Sequence, residues 1–163
     1  MQFQFYVKII VERGGVIMAD MKFNAVVEAK DGLTMSCKSS NFEFILDEPK
    51  ALGGNNEGMN PVECLLNAIG ACKGIVARSF AKGHGLDIKG LRIEVEGTLD
   101  PDGFMGKNKD AKIGFSNVVT NYYFESDEDE AKLAEFIEFI DRTCPVIDTI
   151  VNTPSLESKL NIV

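Results

Sequence analysis

The sequence predicts an α+β fold, with antiparallel sheets and two long helices. Three observations carry that prediction. Segments of alternating apolar and polar residues come in runs, as in joined antiparallel strands. Two stretches place apolar residues at steps of three and four, as amphipathic helices do. Short Gly- and Asp-containing breaks separate these segments.

Phe3, Phe5, Val7, Ile9 and Val11 alternate with mostly polar neighbours and read as a strand that Gly14-Gly15 breaks. Met18 and Met21 are alternative starts, so residues 1–20 are expected to be a peripheral extension of one domain over 21–163. Residues 22–30 and 33–39 read as two strands of a hairpin turning at Asp31-Gly32. A third strand, 42–46, sets Phe42, Phe44 and Leu46 on one face. Residues 53–58, GGNNEG, read as a flexible polar loop just ahead of a helix.

That helix starts with Asn60 as cap and Pro61 in its first position, and runs to about Lys82. Leu65, Ile69, Cys72, Val76 and Phe80 form one apolar stripe, and Gly83 and Gly85 stop the helix. Strands follow over 88–99 and 113–124, on either side of a polar loop at 100–103. Ser126 and Asp129 have capping-box spacing for the second helix, and Asp127, Glu128 and Glu130 suit its first turn. Leu133, Ile137, Ile140 and Cys144 share its apolar face, and 156–163 reads as a last strand.

Composition narrows the function. The 163 residues carry 17 basic and 25 acidic side chains, a net charge of −8. A nucleic-acid or anionic-membrane partner is disfavoured, because phosphate binding needs a basic surface. No apolar run approaches the roughly 20 residues that cross a membrane. Four cysteines without a secretion signal point to a reducing, cytoplasmic setting, where thiols are catalytic, metal-binding or packed. Metal-ligand spacing is missing, and the sole histidine, His84, sits between two loop glycines. No metal or bound cofactor is expected.

The cysteines hold the remaining chemistry. Cys72 in a helix stripe reads as core packing, since free cysteine is a small, buried hydrophobe. Cys144 precedes Pro145, which obstructs helix continuation. It is either the residue at which a new helix starts, where the dipole lowers a thiol pKa, or a small residue at a kink. Cys64 lies eight residues before Cys72, about 12 Å along a helix, too far for a disulfide. Cys64 and Cys37 read as packing.

Asn60-Pro61-Val62-Glu63-Cys64-Leu65-Leu66 through Gly70-Ala71-Cys72, followed by Thr143-Cys144-Pro145-Val146, resembles the OsmC/Ohr family of osmotically inducible and organic-hydroperoxide-resistance proteins. The resemblance covers about 21–163. It implies an intertwined homodimer with two central helices enclosed by sheets and active sites at the interface. It also implies reduction of organic hydroperoxides in oxidative stress defence. Carried over, Cys72 is the peroxidatic thiolate, which becomes a sulfenic acid, and Cys144 resolves it to a disulfide. An external dithiol, lipoyl-type in some members, resets the pair.

Two departures mark a divergent OsmC-like branch. The family's well-studied peroxidases use an Arg on an early strand and a Glu just after the Asn-Pro to activate the thiolate. Lys30 and Val62 stand at those positions, with Glu63 one residue later. Lys30 and Glu63 are therefore the candidate activating residues, although Lys lacks the two-point contact of Arg. Two other readings remain open: a non-catalytic dimer binding a small apolar ligand, and a redox-switched interaction protein.

Overall fold

The computed structural model describes Ile9–Glu12, Gly15–Met18 and residues 20–163. The chain divides into two compact units, Met1–Cys64 and Leu65–Val163.

In the first unit, strands β1 (Ile9–Glu12) and β2 (Gly15–Met18) pair antiparallel, with Ile9 opposite Met18. Phe3, Phe5 and Val7 of the expected first strand lie outside the described residues. A second sheet has the order β3 (Val26–Ala29), β4 (Met35–Ser39), β5 (Phe42–Leu46), antiparallel throughout. The predicted turn joins β3 to β4. Gly32 takes φ 61°, which favours glycine, and the Lys30 N–H donates to the Thr34 carbonyl at 2.8 Å.

The loop after β5 is tied down rather than flexible. Asp47 is buried, and its carboxylate accepts the backbone N–H groups of Glu48, Asn55 and Glu57 at 2.8, 3.0 and 3.1 Å. The Thr34 hydroxyl adds a fourth donor at 3.1 Å. Burial opposes ionisation of Asp47, but these donors outweigh it and hold the carboxyl below its ordinary value. A Cβ at Gly54 would lie 1.9 Å from the Glu48 carbonyl, so only glycine lets the loop pass so close. The sequence reads glycine and asparagine here as freedom; Gly54 and Gly58 instead serve close approach, and Asn55 donates hydrogen bonds to Asp47 and Thr34.

Helix α1 (Pro61–Phe80) starts in a reciprocal capping box. Asn60 Oδ1 accepts the Glu63 N–H at 2.9 Å, and the Glu63 carboxylate accepts the Asn60 N–H at 3.0 Å. The helix ends in a single 3-10 turn, Lys82–His84, and in Gly85 at φ 66°.

In the second unit, β6 (Gly90–Thr98) and β7 (Asn117–Glu125) pair antiparallel from Gly90–Glu125 to Thr98–Asn117. The expected polar loop between them contains a short helix, α2 (Pro101–Phe104). Asp100 caps it by accepting the Asp102 N–H at 2.9 Å, and Pro101 pre-sets its first turn. Strand β7 starts later than expected, because Phe115 turns in over Gly97 while Ile113 stays exposed.

Helix α3 (Glu130–Thr143) is capped by Asp129, which accepts the Ala131 N–H at 2.8 Å. Ser126 was the expected cap. It instead donates to the Asp87 carbonyl at 2.7 Å and accepts the Glu128 N–H at 3.2 Å. Helix α4 (Pro145–Val151) follows directly. The last strand expected at 156–163 is not formed. Residues 153–163 belong to no helix or strand, and no strand among the described residues pairs with them.

The core of this unit joins Val76, Ala77 and Ala81 of the α1 end to Leu86, Phe136 and Ile140. Helix α1 lies close on β6: a Cβ at Gly70 would sit 3.1 Å from Val95, and one at Gly74 3.7 Å from Ile93. The result is the expected mixture of helices with small antiparallel sheets.

Candidate functional site: a cysteine pair beside an ion pair

The second unit brings Cys72 and Cys144 together. Cys72 lies on α1 and is half-buried, whereas Cys144 is fully buried. The two thiols are near enough to influence each other's ionisation, and both are free. Cys144 is at once the last cap of α3 and the first cap of α4, in extended conformation at φ −74° and ψ 111°. Pro145 forces that break, because its ring would clash with the preceding turn.

Burial pushes the Cys144 thiol above its ordinary value. The backbone N–H groups of Ile147 and Val146 favour the thiolate, and the neighbouring Cys72 disfavours it. The helix start predicted from Pro145 is therefore present, but its predicted consequence is reversed. Desolvation of the fully buried sulfur outweighs the few N–H groups of a short helix.

The stripe containing Cys72 also holds a charge that sequence reasoning missed. Ile69, Lys73, Val76 and Ala77 are its buried members, whereas Leu65 and Phe80 at its ends are exposed. Lys73 Nζ lies 2.9 Å from Asp141 Oδ1 and donates to Thr120 Oγ1 at 2.9 Å. It also stands 5.6 Å from the centroid of the Tyr122 ring. The Tyr122 hydroxyl donates to Asp141 Oδ1 at 2.9 Å. Burial, then the Asp141 carboxylate, then the charge of a Cys144 thiolate raise the Tyr122 pKa, so the phenol stays protonated. These residues line a cleft of about 440 Å³ with Asn121 and Ile137. One signal was available: Lys73 follows Ile69 by four residues, so a charge had to enter the apolar face and find a carboxylate.

The two candidate activating residues belong to the first unit. Glu63 closes the α1 capping box, nine residues and about 13 Å of helical rise before Cys72. Lys30 is exposed at the β3–β4 turn, and its charge helps to lower the pKa of Glu43. Cys37 is buried on β4 opposite Val27 and Phe44, and Cys64 is half-buried on the first turn of α1. His84 is not a bare loop residue: its ring lies 4.3 Å from that of Phe139 at the core edge.

A paired-cysteine helix arrangement on an α+β frame invites comparison with known families. The model of the OsmC-like proteins matches residues 54–159. The chain belongs to the OsmC-like protein family. A curated relative, the hydroperoxide reductase of Mycoplasma genitalium, is 23% identical over 147 residues, covering 88% of this chain and 96% of that protein. The hydroperoxide reductase of Mycoplasma pneumoniae is 24% identical over 144 residues, with the same coverage of 88% and 96%. The crystal structure of an OsmC-like protein from Mycoplasma pneumoniae superposes with a TM-score of 0.72 at 24% identity, covering 83% of this chain and 91% of that one. The OsmC-like fold is thus established for this chain.

Proposed function

We propose that this OsmC-like protein is a thiol-dependent peroxidase that reduces organic hydroperoxides through Cys72 and Cys144. The observation that carries the reading is the nearness of a half-buried thiol on α1 to a fully buried one at the α3–α4 junction of the same unit. Accessibility suits Cys72 to the first step. Its thiolate attacks the outer oxygen of ROOH, the O–O bond breaks, and ROH leaves with a proton while Cys72 becomes a sulfenic acid. Burial suits Cys144 to the second step. Its sulfur attacks the sulfenic sulfur, its proton leaves with the hydroxyl as water, and a disulfide forms. An external dithiol, lipoyl-type as in some family members, returns two electrons and two protons. The hydroperoxide-reductase names of the two Mycoplasma relatives support the same chemistry.

The working unit in this reading is a homodimer. Phe23 and Phe42 are each 78% exposed, and Leu156, Leu160 and Ile162 are 85, 88 and 90% exposed. Exposed apolar surface of this kind calls for a partner, and a second copy supplies it. Oxidative stress defence in the cytoplasm is the corresponding role. No helix among the described residues is long and apolar enough to cross a membrane.

One equivalent of cumene hydroperoxide, followed by mass spectrometry of unreduced peptides, tests the proposal. A Cys72–Cys144 disulfide with release of one equivalent of alcohol is expected, and Cys72→Ser is expected to release none. Full turnover in Cys72→Ser, or no reaction of the intact protein with any hydroperoxide, would overturn it.

A further inference from the structure

We propose that the Lys73–Asp141 ion pair, braced by Tyr122 and Thr120, is a positioning clamp that sets Cys72 and Cys144 at disulfide-forming distance. Lys73 is the residue next to Cys72 on α1, and Asp141 lies three residues before Cys144 on α3. Each half of the pair thus shares a helical turn with one of the two thiols. Lys73 is only 5% exposed, and its ammonium is held at 2.9 Å by Asp141 and at 2.9 Å by Thr120. Tyr122 fixes the same Asp141 oxygen at 2.9 Å. The carboxylate therefore receives donors from both α1 and β7, and α3 cannot rotate without breaking both.

A pair with a buried Lys73 and an Asp141 side chain 45% exposed is a poor choice for stability alone, because the lysine loses water while the exposed carboxylate is screened. What it adds is direction. The core contacts joining α1 to α3 are apolar, through Val76, Ala77, Phe136 and Ile140, and such contacts fix direction less sharply than an ion pair does. A disulfide needs that sharpness: its Cα atoms must come within roughly 4.4–6.8 Å. One residue of helix register moves a side chain by about 1.5 Å along the axis and 100° around it. A directional contact one turn or less from each sulfur removes that freedom.

The importance of the clamp for turnover rests on the peroxidase reading, but the clamp itself is tested without peroxide. The Cys72–Cys144 disulfide of the full chain is formed with diamide, which takes up the two electrons and two protons of the dithiol. It is then equilibrated against mixtures of reduced and oxidised dithiothreitol and quantified by intact mass. The Lys73→Met/Asp141→Leu double variant keeps an apolar side chain at both sites. Its disulfide equilibrium is expected to shift at least tenfold toward the dithiol while its thermal midpoint is retained. Tyr122→Phe deletes a single oxygen and is expected to shift the equilibrium about threefold in the same direction, which keeps the test available if the double variant fails to fold. Equilibria within the measurement error of the unsubstituted protein in the folded variants would overturn the clamp, as would a protein that forms no such disulfide with diamide. A disulfide that forms with diamide but not with hydroperoxide would instead overturn the peroxidase reading and leave the clamp standing.

Discussion

Two buried polar side chains, Asp47 and Lys73, decide local structure. Asp47 gathers the loop after β5 by accepting three backbone N–H groups and one hydroxyl. Its carboxyl is held below the ordinary value by those donors against the opposing effect of burial. A depressed carboxyl stabilises the fold wherever the unfolded chain would bind the proton more readily. Its contribution is therefore complete above about pH 4, the ordinary carboxyl range, and is lost as pH falls through the lower folded value. Asp47→Asn is expected to lower the urea midpoint at pH 7. The gap to the unsubstituted protein is expected to close as the pH drops below about 4. A gap that persists unchanged to pH 2 would show that shape, not charge, matters there. Pro145 marks Cys144 in the sequence, whereas the α1 stripe reads Cys72 as packing and only the family resemblance pairs the two. Lys73 was harder to read, because a lysine in a helix is ordinarily a solvated side chain; its spacing from Ile69 is a weak signal, and the partner on α3 gives it meaning.

At the scale of elements, the signals that were local were legible and those needing a partner were not. The 42–46 strand, the Asn60-Pro61 start of α1 and the Asp31-Gly32 turn are fixed by residues within a few positions, and the structure has them where expected. The cap of α3 shifted from Ser126 to Asp129 because a distant carbonyl, that of Asp87, takes the Ser126 hydroxyl. Helix α1 gives a prediction that separates propensity from packing. Both Gly70 and Gly74 lie in its interior, where glycine costs about 1 kcal/mol relative to alanine. A methyl at 74 would meet Ile93 at 3.7 Å, an ordinary contact. At 70 it would meet Val95 at 3.1 Å, and the close packing of α1 on β6 must give way. Gly74→Ala is expected to gain roughly 0.5–1 kcal/mol in denaturant unfolding, and Gly70→Ala to gain less or to lose. Equal gains at the two positions would mean that β6 yields freely under α1.

The whole molecule raises the question of what completes the surfaces a single chain leaves open. Segment 156–163 read as a strand from sequence because its residues suit one, yet among the described residues no strand pairs with it. Among the described residues, strands β6 and β7 form a sheet of two that α1 covers on one face, with an unpaired edge on each side. A second copy resolves both facts if each chain lends its segment to the other. Leu156, Leu160, Ile162 and Val163 are exposed here, and burying each is worth at least about 1.5 kcal/mol. Together that is roughly 6 kcal/mol per segment, or about four powers of ten in a dissociation constant before the cost of ordering the chain. Removal of residues 154–163 ends the chain beyond α4 and spares Cys72, Cys144 and the Lys73–Asp141 pair. The full-length protein is expected to sediment as a dimer at micromolar concentration, and the truncated one as a monomer that retains its helical circular dichroism. A full-length monomer at that concentration would remove the basis for the exchange. A truncated protein that remains fully dimeric would place the contact elsewhere, on surfaces such as the exposed Phe42 and Phe44 of β5.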